Sequence, residues 1–236
     1  MALARNSFGI FPLGDSAVLA EFGTSLDLAV NARLQQLAEA VRAKRVPWIS
    51  DIVPALGSLA LHFDPAQLPA GLDPVEAAQG LLQDCLRGGL RAPRARSASL
   101  EVPVCYDGEF GPDLAEVAEQ VKLSTGEVVR RHAVPGHRVL MMGFAPGQPY
   151  VGGLDAALAV PRRATPRTRV PAGSVAIANA QTAVYPFEIS GGWNVIGRTP
   201  LRVFDAARDP AALFAPGMSV RFVAITRAQY ERLGAP

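Results

Sequence analysis

Cysteine is almost missing: Cys85 and Cys105 are the only two in 236 residues, too few and too far apart for a disulfide framework or a thiolate zinc site. Lysine is as scarce, with Lys44 and Lys122 alone against 21 arginines. Neither lysine sits in a GxxxxGK[ST] loop, so a P-loop nucleotide site is excluded. No GxGxxG opens a helix, which excludes a Rossmann cofactor domain. The three histidines, His62, His132 and His137, lack metal-ligand spacing, and no metal site is expected. Ala172-Gly173-Ser174-Val175-Ala176 lacks the outer glycines of a nucleophile elbow. No apolar run reaches the 18 or so residues of a membrane span. The opening MALARNSFGIFPLGDS shows no continuous apolar stretch followed by a small-residue cleavage site. A soluble, cytoplasmic chain without membrane contact is expected.

What the chain does have is turn formers and arginine. It holds 22 glycines and 20 prolines beside a hydrophobic fraction of 49% and a charged fraction of 19%. That composition describes a chain with a real core and many loops. The net charge of +2 hides an asymmetry. Residues 1–90 carry 6 basic and 9 acidic side chains, residues 91–236 carry 17 and 12. Between Arg138 and Phe204, seven arginines face only Asp155 and Glu188. Guanidinium groups suit bidentate contacts to carboxylate or phosphate, so this stretch is a candidate anion-facing surface.

Hydrophobic spacing divides the chain in two. In residues 1–90, Phe8–Phe11 and Ala17–Phe22 flank the turn Leu13-Gly14-Asp15 as a hairpin. Leu26, Val30, Leu34, Leu37 and Val41 form one stripe of a helix, with Thr24 or Ser25 as its cap. Two further strands lie around Ile49–Val53 and Leu59–Phe63. A second helix opens at Asp73-Pro74 and stops at Gly88-Gly89. The order β-β-α-β-β-α predicts a small α+β sandwich, an antiparallel sheet covered on one face by helices. Residues 91–99 read as a linker, and their three arginines beside no aromatic residue make no nucleic-acid site. Residues 100–236 open on a strand at Leu100–Cys105, pass through helices near Asp113–Val121 and Thr125–Arg131, and end in short apolar strands. Ser124-Thr125-Gly126-Glu127 has capping-box spacing for the second helix. The strands are RVLMMGF, SVAIA, TAVYPF, WNVIG, LRVFD and SVRFVAI, a pattern that predicts a barrel or sandwich.

One block concentrates the remaining signal. Gly143 to Gly153 holds four glycines and two prolines, a loop that lets backbone approach a ligand or turns a barrel corner. The chain from Gly143 onward, including Gly143-Phe144, Pro146-Gly147, Pro149-Tyr150 and Gly152-Gly153-Leu154, closely resembles a known pattern. The match continues through Pro161-Arg162-Arg163, Pro166-Arg167, Val170 to Val175, Gln181-Thr182, Tyr185-Pro186, Gly191-Gly192-Trp193 and Ile196-Gly197. The family is the one variously called the B subunit of prokaryotic 5-oxoprolinase, allophanate hydrolase subunit 1 and histidine-kinase inhibitor. Gly14-Asp15-Ser16-Ala17 and the segment Val129 to His132 extend the resemblance over nearly the whole chain.

The resemblance implies a small N-terminal α+β domain followed by a C-terminal cyclophilin-like β-barrel, without prolyl isomerase activity. It implies one part of an ATP-dependent hydrolase that opens 5-oxoproline to glutamate. The implied partners are the A-type and C-type subunits of that complex, the C-type one homologous and larger, with the isolated chain inactive. ATP, with Mg2+, is then a co-substrate, and no tightly bound cofactor is expected. Arg162, Arg163 and Arg167 are the candidate anion clamps, with Arg163 also a catalytic candidate. Gly173, Ser174, Gln181 and Thr182 are candidate hydrogen-bond donors, Gln181 being catalytic in that scheme. His132 is the histidine that matches the pattern and the candidate proton carrier. Phe144, Pro146, Gly147, Gln148, Tyr150, Tyr185 and Trp193 are candidate pocket residues. Alternatives are a carboxyltransferase-type subunit related to urea carboxylase or allophanate metabolism, and a non-enzymatic inhibitor that binds a sensor histidine kinase. Five positions depart from the pattern: Gln148 in place of an aromatic ring, Ala176 and Ala183 in place of glycines, and Ala178-Asn179 in place of a small or glycine pair.

Overall fold

The computed structural model of the protein describes residues 8–90, 99–134 and 136–234, so the expected linker lies, but for Ser99, outside the described residues. The chain forms two compact units, with the division between Ala95 and Arg96.

The first unit has the element order read from the sequence: β1 (Gly9–Pro12), β2 (Ala17–Glu21), α1 (Leu28–Lys44), β3 (Ile49–Pro54), β4 (Ser58–Phe63) and α2 (Pro74–Arg87). The strands pair antiparallel in the order β1-β2-β4-β3. Leu34, Leu37 and Val41 of α1 and Leu82 of α2 pack against Val18, Leu59 and Leu61, the inward face of the sheet. The start of α1 differs from the expected one. Asp27, rather than Thr24 or Ser25, is the cap, its carboxylate accepting from the N–H groups of Ala29 (2.8 Å) and Val30 (3.1 Å). A carboxylate there also meets the positive end of the helix dipole, and Leu26 is left outside the helix. Asp73 caps α2 in the expected way, with Pro74 in the first turn.

The second unit is a closed barrel of seven strands. These are β5 (Leu100–Cys105), β6 (His137–Met142), β7 (Pro149–Gly152), β9 (Ser174–Ala178), β10 (Gln181–Val184), β12 (Asn194–Arg198) and β13 (Ser219–Ile225). They run in the order β10-β7-β6-β13-β5-β12-β9, and β9 pairs back on β10. Only β13 and β5 are parallel. Strands β8 (Arg167–Val170) and β11 (Ile189–Gly191) form a separate two-stranded ribbon. Helices α3 (Leu114–Gln120) and α4 (Thr125–His132) follow β5, and α5 (Arg227–Leu233) follows β13.

Strand alternation builds two apolar layers. Val102, Val104, Val139, Val151, Val175, Ile177, Val184, Ile196 and Phe222 form one core with Leu114, Val117 and Val128 of the helices. The intervening residues Ala176, Ala178, Ala183 and Val195 form a second layer with Tyr185 and Trp193, joined by Val170 of the ribbon. Every residue of β9 is therefore buried.

LRVFD forms no strand. Its Phe204 makes one isolated bridge to Ala212, and Arg208 donates side-chain hydrogen bonds to the carbonyls of Val203 (3.4 Å) and Ala211 (2.9 Å). The same two carbonyls also accept the backbone N–H groups of Leu213 (2.8 Å) and Asp205 (2.9 Å), so the pairing is confined to this one bridge and its flanking bonds.

Candidate functional site

The residues expected at a site fall into four groups. The first lies at one end of the barrel. The β6–β7 hairpin ends in Gly143–Gln148, and β10 leaves its pairing with β7 at the same end. Hydrogen bonds fasten the neighbouring turns there: Gly173 N–H to Tyr185 O (2.8 Å), Tyr185 N–H to Ser174 O (2.9 Å) and Thr199 N–H to Gly173 O (2.9 Å). Phe144, Pro146, Gly147, Gln148, Gly173, Ser174 and Tyr185 thus meet at one rim. Gly147 has φ 79°, and a Cβ there would lie 2.8 Å from Cβ of Phe204, so a side chain is excluded on both counts. The backbone donors expected of Gly173 and Ser174 are already engaged, Ser174 N–H donating to Pro171 O at 3.2 Å. Gln148 is only 3% exposed, and its Oε1 is buried without a partner.

The second group is a cation on an aromatic wall. Arg162 is exposed, its guanidinium carbon 5.7 Å from the centroid of the Trp193 ring. Trp193 in turn meets Tyr150 edge-on, centroids 5.7 Å apart. Burial raises the Tyr150 and Tyr185 phenols above the ordinary tyrosine range, and the Arg162 charge opposes this in both. Both phenols are therefore protonated donors at neutral pH. Gly191 is required beside them, because a Cβ there would lie 2.2 Å from the Tyr185 hydroxyl. Among the described residues no carboxylate pairs with Arg162.

The other two arginines expected as anion clamps are committed elsewhere. Asp113, buried, accepts both Nη groups of Arg167 at 2.6 Å, Nη1 of Arg163 at 2.7 Å and the N–H of Val195 at 2.7 Å. Arg163 also reaches Glu116 at 3.2 Å. The structure therefore assigns Arg163 and Arg167 to a frame that ties the start of β8 and the segment before it to β12 and to the start of α3. Sequence reasoning missed Asp113. It placed that residue at a helix start, where no side-chain cap bond is in fact made.

The fourth group is inside the barrel or at its far end. His132 is fully buried, Nδ1 2.7 Å from the Tyr106 hydroxyl and Nε2 3.1 Å from Thr182 Oγ1. Burial, helped by His137, pushes its pKa down to about 3. His137 Nε2 lies 2.8 Å from the carbonyl of His132, which fixes the ring of His137 against that helix end. A neutral, enclosed imidazole with both nitrogens engaged holds structure; the expected proton carrier has no exposed face here. Gln181 opens β10 opposite Ala178, away from the rim, and its Nε2 is buried without a partner.

The departures from the family pattern are also placed. Ala176 and Ala183 are direct cross-strand partners, fully buried, and neither has positive φ. Their extra methyls fill the layer beneath Tyr185 and Trp193. Asn179 keeps a left-handed backbone, φ 53°, with its N–H 2.6 Å from Val160 O, a conformation asparagine tolerates almost as glycine does.

The family model for the carboxyltransferase domain, subdomain C and D, matches residues 8–214. The chain belongs to this family. It is 38% identical over 229 residues to the B subunit of 5-oxoprolinase from Bacillus subtilis (strain 168), covering 95% of each chain. Among solved structures it resembles TTHA0988 at 39% identity with TM-score 0.74, over 89% of this chain and 40% of that one, so it spans less than half of that protein. Kluyveromyces lactis urea carboxylase shares the fold, with TM-score 0.72 over 95% of this chain and 22% of that one, at 19% identity. Among the described residues no helix of this family member is long and apolar enough to cross a membrane, and no group of His, Cys, Asp or Glu suits a metal.

Proposed function

We propose that this chain is the B-type subunit of an ATP-dependent 5-oxoprolinase, working in the cytoplasm with A-type and C-type subunits, the latter homologous and larger. The observation that carries this reading is the 38% identity over 95% of both chains to a relative of that name. The reaction consumes 5-oxo-L-proline, ATP and water and yields L-glutamate, ADP and phosphate. The lactam carbonyl oxygen takes the γ-phosphoryl group and water adds at the activated carbon. The ring C–N bond then breaks, the nitrogen keeping the electron pair and taking up a proton, and a second water displaces phosphate from the glutamyl phosphate that remains. Each step develops charge that fixed cations and donors stabilise. Mg2+ enters with the nucleotide.

The geometry narrows what this chain contributes. Arg162 is the arginine of the block that keeps its charge for a ligand, since Arg163 and Arg167 are neutralised on Asp113. With its guanidinium carbon 5.7 Å from the Trp193 ring centroid, Arg162 is exposed and has N–H groups to offer a carboxylate or phosphate oxygen. The protonated Tyr150 and Tyr185 phenols line the same wall. In the assembled complex, Arg162→Ala should lower kcat/KM for 5-oxoproline by about 30-fold or more, as expected for a lost charge-assisted pair worth ~2 kcal/mol. The melting temperature should stay within about 2 °C. Unchanged turnover would remove Arg162 from the site.

A further inference from the structure

We infer that the barrel rim carrying Phe144 and Phe187 is the surface on which this chain docks its partner, with the Phe144 ring as the anchor in an apolar, acid-rimmed pocket of that partner. The inference rests on the proposed function for the existence of such a partner; the location comes from this chain alone.

Phe144 is 65% exposed and sits at φ 71°, the left-handed region that a bulky side chain avoids. The hairpin enforces that conformation through Gly143 N–H to Gln148 O (3.1 Å) and Gln148 N–H to Ala145 O (3.0 Å). The fold thus holds a strained backbone in order to keep an aromatic ring in water, an arrangement with no return within the chain. Phe187, 36% exposed, leaves β10 at the same rim. Val134 and Leu233 are the other large apolar side chains exposed in this unit among the described residues.

The surroundings have the anatomy of an interface centre. Residues 143–154 and 170–187 carry no charged side chain. Depletion of charge around exposed aromatics is what separates the centre of an interface from ordinary surface. Pro146, Pro149, Pro171 and Pro186 stiffen the same turns, so little freedom is lost on docking. At the edge, Arg198 donates to the carbonyl of Ala172 and Arg208 to the carbonyls of Pro210 and Ala211, neither with a carboxylate among its bonds. Arginines held on backbone carbonyls at this margin bring positive charge to it and match a partner whose pocket is edged by carboxylates.

The test is a binding titration of the full chain against the purified homologous larger subunit, with thermal melting of each variant alone. Phe144→Gly and Phe144→Asn both remove the ring while suiting positive φ, and each should weaken the complex about 30-fold, the scale of an interface hot spot. Both should melt at or above the temperature of the unaltered chain. Phe187→Ala should weaken binding about tenfold, and raising salt should weaken it further. Binding unchanged within twofold for both Phe144 variants would overturn the inference while leaving the functional reading intact. So would a lower melting temperature for both, which would make the ring a structural part of this chain. No complex with the unaltered chain would overturn the functional reading and the docking surface together.

Discussion

At the scale of single residues, burial decides more than identity. His132 has an ordinary residue type for proton transfer, yet its pKa is about 3 because the barrel gives it no water. A histidine whose folded pKa lies below its usual 6.5 binds fewer protons folded than unfolded between those values. Its contribution to stability is therefore complete above about pH 6.5 and is lost as pH falls toward 3. By pH 5 this one residue should remove about 2 kcal/mol, and His137, shifted the same way by burial, adds to the slope. Melting of the chain between pH 7 and 4.5 checks it: His132→Asn should flatten the curve, and an unaltered slope would place the titration elsewhere. The residue type and its match to the family were legible in the sequence. Its enclosure was not, because Tyr106 and Thr182, which engage its two nitrogens, lie 26 and 50 positions away in the chain.

Elements show the same division between local and distant signals. The helices, with Asp73, Pro74 and Gly88-Gly89 marking one of them, were readable because capping chemistry is local. Ser124 caps α4 by accepting from Glu127 N–H, but Glu127 does not complete the box, since its carboxylate is taken by Arg130 and Arg131. The short strands β7, β8 and β11 lie among glycines, prolines and arginines that show no two-residue alternation, and they become strands only through their partners. The arginine-rich stretch resembles an open anion surface in sequence because its counter-charge, Asp113, comes 50 and 54 residues earlier. That carboxylate makes the frame testable. Asp113→Asn keeps the shape and strips the charge from beneath two arginines, and should cost about 3 kcal/mol in denaturant unfolding. Arg167→Ala, which removes two bonds to buried Asp113, should cost more than Arg163→Ala, which removes one to Asp113 and a longer one to exposed Glu116. Near-zero values for all three would show that the frame does not hold the unit together.

For the whole molecule, two units with separate cores follow from the sequence order of their elements and from the loop composition of the second half. The fold class, a small α+β sandwich and a closed barrel, was available from periodicity together with the resemblance carried by residues 143–197. The residues by themselves left a barrel and a sandwich open, because closure depends on β13 lying parallel to β5 across more than a hundred residues, and it was the resemblance that implied the barrel. At this scale the central claim is that the chain is one part of a lactam-opening machine. The direct measurement is ATP-dependent glutamate formation from 5-oxoproline, by this chain alone and then with the A-type and C-type subunits added. Turnover that requires all the components, with one phosphate released per glutamate, is the predicted result. Glutamate formed equally without this chain, or none from a well-folded full set, would contradict the account.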